Sequence, residues 1–237
     1  VGVLISPISV VSDSGVGIDY ADEVVSRPER KPSRFDCVGL SGGGRVVLDD
    51  PGTGARCGAR RVVGAVVGND HDVAQFGRVV LGEQIRNDPG GVTLIAGGPL
   101  HNIAAAFQID PELALQVGHL IIVGGTLDGP GDVSAAAEFN IYCDAEAAQR
   151  VFRSHATTTL LPLDVTRKAA LTYELLSNLP SESSSMGRLL RAILPGAFQA
   201  YRQRLGLESM YAAEAVAVMA AIKPELIVTE AMPCDVE

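Results

Sequence analysis

The densest run of groups able to do chemistry lies between Gly124 and Asn140. Thr126, Asp128 and Asp132 sit in a stretch punctuated by Gly129, Pro130 and Gly131, and the run closes on Glu138-Phe139-Asn140-Ile141. A loop of this length inside a compact domain is usually functional. Glu138 and Asn140 alternate with apolar Phe139 and Ile141, which predicts that both polar side chains point the same way. A carboxylate beside a carboxamide suits a polyol, because each binds vicinal hydroxyls. The same pair could instead cap a helix or close the loop. Spacing alone leaves both readings open, with the structural one the commoner.

Other polar clusters say less. Asn69-Asp70-His71-Asp72 is rich in ligand types, but adjacent residues do not all face one ion. Gly39-Leu40-Ser41-Gly42-Gly43-Gly44 has the glycines of a phosphate loop without the Lys-Ser/Thr that must follow them, and reads as a turn. His101 reads as a helix-start residue near a glycine turn. His119 and His155 fall at helix-to-strand boundaries, where solvation is expected. Asp164 reads as a structural cap at a strand end.

The elements that must position these groups are regular from Val73 onward. Val92 to Ala96, Leu120 to Val123 and Thr158 to Leu163 are continuous apolar strands. Amphipathic helices are predicted over Val73–Arg86, Asn102–Gln108, Pro111–Gln116, Ala145–Arg153, Arg167–Leu179, Met186–Leu205 and Tyr211–Ile222. Buried strands alternating with helices imply an α/β fold, a mostly parallel sheet covered on both faces. Ligands in such sheets sit beyond the carboxyl ends of the strands. The turns Gly97-Gly98, Gly124-Gly125 and Asp164-Val165-Thr166 fall there.

The chain has 237 residues, which allows one large domain or two small ones. Apolar residues make up 47% and charged residues 20%, so a sizeable core forms and a disordered chain is excluded. The net charge of −9 argues against a nucleic-acid partner, since no basic face replaces counterions. Carboxylates can instead hold cations. Eighteen of the 26 glycines lie in the first 100 residues, which makes residues 13–72 an expected irregular, Gly-rich segment with short strands. Cys37, Cys57, Cys143 and Cys234 form no CxxC and read as free thiols of a reducing, cytoplasmic compartment. No apolar run is long enough to span a membrane.

Three ordered stretches carry a family likeness. They are Ile95-Ala96-Gly97-Gly98-Pro99-Leu100-His101-Asn102, then Gly124-Gly125 through Gly131-Asp132 to Ala137-Glu138-Phe139-Asn140 and Asp144-Ala145-Glu146-Ala147-Ala148, then Pro162-Leu163-Asp164-Val165-Thr166. The sequence resembles the inosine/uridine-preferring nucleoside hydrolases over about residues 73–237. The resemblance implies a single nucleoside-hydrolase-like domain over 1–237, cut short at both ends, with a Rossmann-like, mostly parallel sheet flanked by helices. It implies hydrolysis of the N-glycosidic bond of ribonucleosides through a calcium-bound water, and assembly as a homodimer or homotetramer. By the same likeness the Gly97 backbone carbonyl is a calcium ligand, and Asp132, Glu138 and Asn140 bind the ribose.

The resemblance also shows departures. The family opens with DxDxGxDD, which supplies the base and two metal ligands. In one alignment Asp13-Ser14-Gly15-Val16-Gly17-Ile18-Asp19-Tyr20-Ala21 is a reduced copy, which makes Asp13 a candidate base and metal ligand and Asp19 a candidate ligand. In the other, Gly2 to Ser9 is the family's second strand and the motif lies upstream of Val1; the distance from Gly2 to Gly97 favours this one. The family's His-Asp pair falls on Ala213-Glu214. Glu214 keeps a carboxylate for the metal, and Ala213 has no proton to give. Tyr201 and Tyr211 are the nearest phenols and read as packing residues. The rival expectation is therefore a catalytically impaired or inactive descendant that binds at most a nucleoside or sugar.

Overall fold

The strands at the centre of the molecule are buried along almost their whole length because both of their faces are covered. In the computed structural model, which describes residues 81–236 and the backbone of three further strands at 8–11, 37–40 and 61–65, β4 (Val92–Ala96) is buried at every position. It pairs in parallel with β5 (His119–Val123), which pairs in parallel with β6 (Thr158–Leu161). Side chains on successive strand residues leave opposite faces. Leu94, Ala96, Leu120, Ile122 and Leu160 enter one core with α2 (His101–Ile109) and α5 (Ala145–Phe152). Ile95, Ile121, Val123 and Leu161 enter the other with α8 (Ala213–Ile222).

Among the described residues the sheet has seven strands in the order β2-β3-β4-β5-β6-β1-β9. β1 (Ile8–Val11), β2 (Cys37–Leu40) and β3 (Arg61–Ala65) run parallel to the central three. Only β9 (Thr229–Met232), at the edge beside β1, runs antiparallel. This is the expected α/β architecture. The antiparallel edge strand escapes the sequence pattern because its first three residues are exposed and carry no apolar run.

Three expected elements differ. The strand foreseen to Leu163 stops at Leu161, because Pro162 lacks an amide hydrogen and starts the short helix α6 (Leu163–Thr166). The helix expected over Arg167–Leu179 is instead β7 (Ala170–Leu171) followed by a 3-10 turn at Tyr173–Asn178. β7 spends its backbone hydrogen bonds on β8 (Met210–Tyr211), which also delays α8 to Ala213. Of the helix foreseen at Val73–Arg86, α1 is described over 81–87.

α7 (Ser185–Leu205) does run as expected. Its first turn is capped by Ser184 Oγ, which accepts the Gly187 amide hydrogen at 2.9 Å, and it stops at Gly206, whose φ of 68° suits a residue without Cβ. Leu179, Leu194 and Phe198 form a third core, with the Tyr173 ring stacked on Phe198 at 4.7 Å. This small unit brings α7 and β8 over the carboxyl edge of the main sheet.

Candidate functional site

An open cleft of about 720 Å³ lies at that carboxyl edge. Gly97 follows β4, Gly124 follows β5, and Leu163 follows β6. The loop between Gly124 and Glu138 forms one wall, while Tyr201, Tyr211 and Glu214, from α7, β8 and α8, form the facing wall. Of the residues singled out from sequence, Gly97, Asp132, Glu138, Asn140 and Glu214 all border this one space. Asp13 and Asp19 lie outside the described residues. So do the Asn69–Asp72 cluster and most of the 13–72 segment. β1 runs parallel to β6, so its carboxyl end at Val11 leaves the sheet on the cleft side.

Glu138 is 6% exposed and Asn140 8%. Both border the cleft, from the start of a helix. Glu138 is the N-cap of the short helix α4 (Phe139–Cys143). Its Oε2 accepts the amide hydrogens of Gly125 at 3.0 Å, Asn140 at 2.9 Å and Ile141 at 3.2 Å. One oxygen takes all three, so Oε1 carries no hydrogen bond from the described residues. Capping and cleft-facing roles thus share one carboxylate. Burial pushes the Glu138 pKa up; the three amides work against that rise, and the nearby Asp132 charge adds to it. Asn140 Nδ2 donates to the Val123 carbonyl at 2.9 Å, which pins the carboxamide against the end of β5.

Asp132 is exposed, and its Oδ1 accepts the Phe139 amide hydrogen at 2.8 Å. The loop that carries it is tied down by residues whose role the sequence did not show. Asp164 accepts the amide hydrogens of Leu127 at 2.8 Å and Gly129 at 2.7 Å, and the Thr126 hydroxyl at 3.1 Å. Burial works to raise the Asp164 pKa, but these donors outweigh it and hold the carboxyl below its ordinary range. Asp164 is structural, as expected, though as a loop anchor and not a strand-end cap. Arg167 also borders the cleft and donates to the Pro130 and Gly131 carbonyls. Gly125, at φ 74°, makes the sharp turn out of β5 that lets its amide reach Glu138.

The opposite wall is sparser. A Cβ built on Gly97 would stand 3.2 Å from Glu214 Cγ, so the Gly97 backbone and the Glu214 side chain are neighbours across more than a hundred residues of sequence. Glu214 sits in the first turn of α8, where the helix dipole favours an anion. A carbonyl and a carboxylate are hard oxygen donors, the type that calcium takes in sets of about six to eight. Among the described residues no three His, Cys, Asp or Glu side chains gather closely enough to hold a metal ion. The described donors therefore fit a calcium ion in kind and make only part of its shell.

The remaining candidates fall into place. Tyr201 and Tyr211 were expected to be packing residues; both line the cleft, and Tyr211 belongs to a strand and not to a helix. His101 opens α2, while His155 is exposed. His119 is not simply solvated: its Nε2 lies 2.9 Å from Thr159 Oγ1, away from the cleft at the start of β5. Cys143 and Cys234 are free thiols. No described helix is long and apolar enough to cross a membrane.

Comparison with known proteins agrees with this architecture. The sequence profile of the inosine-uridine preferring nucleoside hydrolases matches residues 16–237. The chain is 31% identical over 154 residues to probable uridine nucleosidase 2 of Arabidopsis thaliana, covering 65% of this chain and 48% of that protein. It is 36% identical over 148 residues to the non-specific ribonucleoside hydrolase RihC of Salmonella schwarzengrund, covering 62% and 46%. The chain thus spans about half the length of the curated relatives it matches. Among solved structures it is similar to the purine-preferring ribonucleoside hydrolase from Gardnerella vaginalis, with a TM-score of 0.62 and 28% identity over 73% of this chain and 54% of that one. It is also similar to the plant nucleoside hydrolase PpNRh1, with a TM-score of 0.60 and 32% identity over 64% and 48%. Sheet order, cleft and profile match agree: the chain belongs to the inosine-uridine preferring nucleoside hydrolase family.

Proposed function

We propose that this chain hydrolyses the N-glycosidic bond of ribonucleosides, with the ribose held between the Gly124–Asn140 loop and Glu214. The observation that carries the reading is the meeting of Gly97, Asp132, Glu138, Asn140 and Glu214 around one cleft at the carboxyl edge of the sheet. Glu138 Oε1 and Asp132 accept hydroxyl hydrogens of the sugar. Asn140, its Nδ2 already given to Val123, contributes Oδ1. An oxygen-lined cleft of negative character also favours the positive charge that develops on a ribosyl group as its bond to the base breaks.

The Gly97 carbonyl and Glu214 would hold part of a calcium shell, and on the alignment that reads Asp13–Ala21 as the reduced family motif the carboxylates of Asp13 and Asp19 would supply further ligands. Bound calcium orients a water and lowers its pKa. On that alignment Asp13, two residues past the cleft-side end of β1, is the candidate base. Ala213 offers no proton to the departing base, so the leaving group is assisted less than it would be with an imidazole there. We further expect a homodimer or homotetramer acting in the cytoplasm.

The test is ribose release from inosine and uridine by the whole chain, with calcium present and after its removal by a chelator. Turnover that disappears with the chelator and returns with calcium supports the proposal. A folded chain that releases no ribose, and shows no calcium binding by calorimetry, would sink it.

A further inference from the structure

The loop that carries Asp132 is fastened to the body of the protein from a single helical turn. Asp164 lies in the first turn of α6 and Arg167 is its C-cap, still helical in backbone, so the two stand three residues apart on one side of a single turn. Asp164 collects donors from Thr126, Leu127 and Gly129, and Arg167 supplies donors to the carbonyls of Pro130 and Gly131. Gly129 is what allows the approach, since a Cβ there would lie 2.8 Å from Asp164 Oδ1. Hydrogen bonds with one charged partner are the stronger kind.

The backbone bonds within residues 131–137 run from 3.1 to 3.4 Å. The Gly131 amide reaches the Ala135 carbonyl at 3.2 Å, and the Val133 and Ser134 amides reach that of Ala137 at 3.2 and 3.4 Å. Asp132 is exposed; its amide donates to the Ala137 carbonyl at 3.1 Å, and its side chain is held by one bond, from the Phe139 amide. The core packing of α6 is carried by Val165, buried among α8 and sheet residues, and not by the two charged side chains.

We propose that Asp164 and Arg167 are positioning residues for sugar recognition: together they clamp the Thr126–Gly131 segment so that Asp132 is presented to the cleft. This inference rests on the reading of the cleft as a ribose site. The clamp acts on substrate binding more than on the chemical step, because Asp132 meets a hydroxyl that is present in ground and transition states alike.

The experiment compares the whole chain with its Arg167→Ala, Arg167→Lys and Asp164→Asn variants. It reads amide hydrogen exchange and steady-state turnover of uridine and inosine. Exchange at Leu127, Gly129, Gly131 and Asp132 should accelerate about tenfold in Arg167→Ala and Asp164→Asn, with the amides of β4, β5 and β6 unchanged. KM should rise about tenfold while kcat moves less than about threefold. Arg167→Lys should recover part of the KM, since an ammonium still reaches one of the two carbonyls. Unchanged loop exchange would overturn the clamp, and a loosened loop with unaltered KM would overturn its positioning role. A wild-type chain that neither releases nor binds ribose defeats the hydrolase reading instead. Exchange alone then decides the clamp: accelerated loop amides beside unaltered sheet amides sustain it, and unaltered loop amides overturn it.

Discussion

The two walls of the cleft are built on opposite principles. On the β5 side, Glu138 is buried, three amides converge on one of its oxygens, and Asn140 is tied to the strand end. On the α8 side, Glu214 is exposed and makes no hydrogen bond or ion pair with the described residues, and the Gly97 backbone lies close by. The first wall is set before any ligand arrives. The second has no comparable ties among the described residues. Preorganised groups return the most in catalysis, because they pay no reorganisation during the reaction. Substitutions on the first wall should therefore cost more than those on the second.

The largest effect is expected for Glu138→Gln. The three amide hydrogens demand an oxygen, so the glutamine would turn its Oε1 toward them and place its NH₂ in the cleft. An acceptor becomes a donor while the fold keeps its cap. We expect kcat/KM for uridine to fall by about 10²–10³, measured beside circular dichroism that stays unchanged. A fall of less than about threefold would remove Glu138 from the sugar site.

On the other wall, Ala213→His should increase activity. An imidazole at the first residue of α8 lines the cleft beside Glu214 and can protonate the departing base. General acids contribute about 10²–10⁴-fold, and the lower end applies here because the α8 N-terminus disfavours the imidazolium. The check is the pH profile of kcat on inosine, which should gain a limb that falls as pH rises. Glu214→Ala should lower calcium affinity, read by calorimetry. Changes around a metal's ligands cost about 10–100-fold, and loss of a ligand should cost at least that. Unchanged affinity would place the ion elsewhere.

The contrast between the walls also governs what could be read in the sequence. The β5 wall is local: Gly124, Gly125, Asp132, Glu138 and Asn140 lie within one connection, and their types and spacing mark them. Their geometry was less legible, since the polar and apolar alternation is produced by an N-cap followed by a helix. The α8 wall is non-local. Gly97 and Glu214 become neighbours through β4 packing near α8, Tyr211 borders the cleft from β8, which pairs with β7, and Tyr201 borders it from α7. Nothing local in Ala170-Leu171 or Met210-Tyr211 announces that pairing, so 167–179 reads as a helix. Arg167 escaped notice for the same reason. Its partners are backbone carbonyls, which leave no mark in residue types.

The smallest expected effect separates two carboxylates of this one site by the sign of their response to pH. Asp164 is held below its ordinary range, so its contribution to stability is present above the unfolded carboxylate pKa and is lost as pH falls through its folded value. Glu138 is pushed above its ordinary range by burial, so its ionised form costs stability, and that cost fades as pH falls through its raised value. Asp164→Asn should therefore melt lower than wild type at pH 7, by under about 2 °C because Asp164 is half-exposed. Glu138→Gln should melt at least as high as wild type at pH 7. Both differences should shrink together on acidification below the carboxylate range. Scanning calorimetry of the three chains at several pH values reads this directly. Two variants that shift in the same direction at neutral pH would show that burial and amide donors do not set the two carboxylates apart.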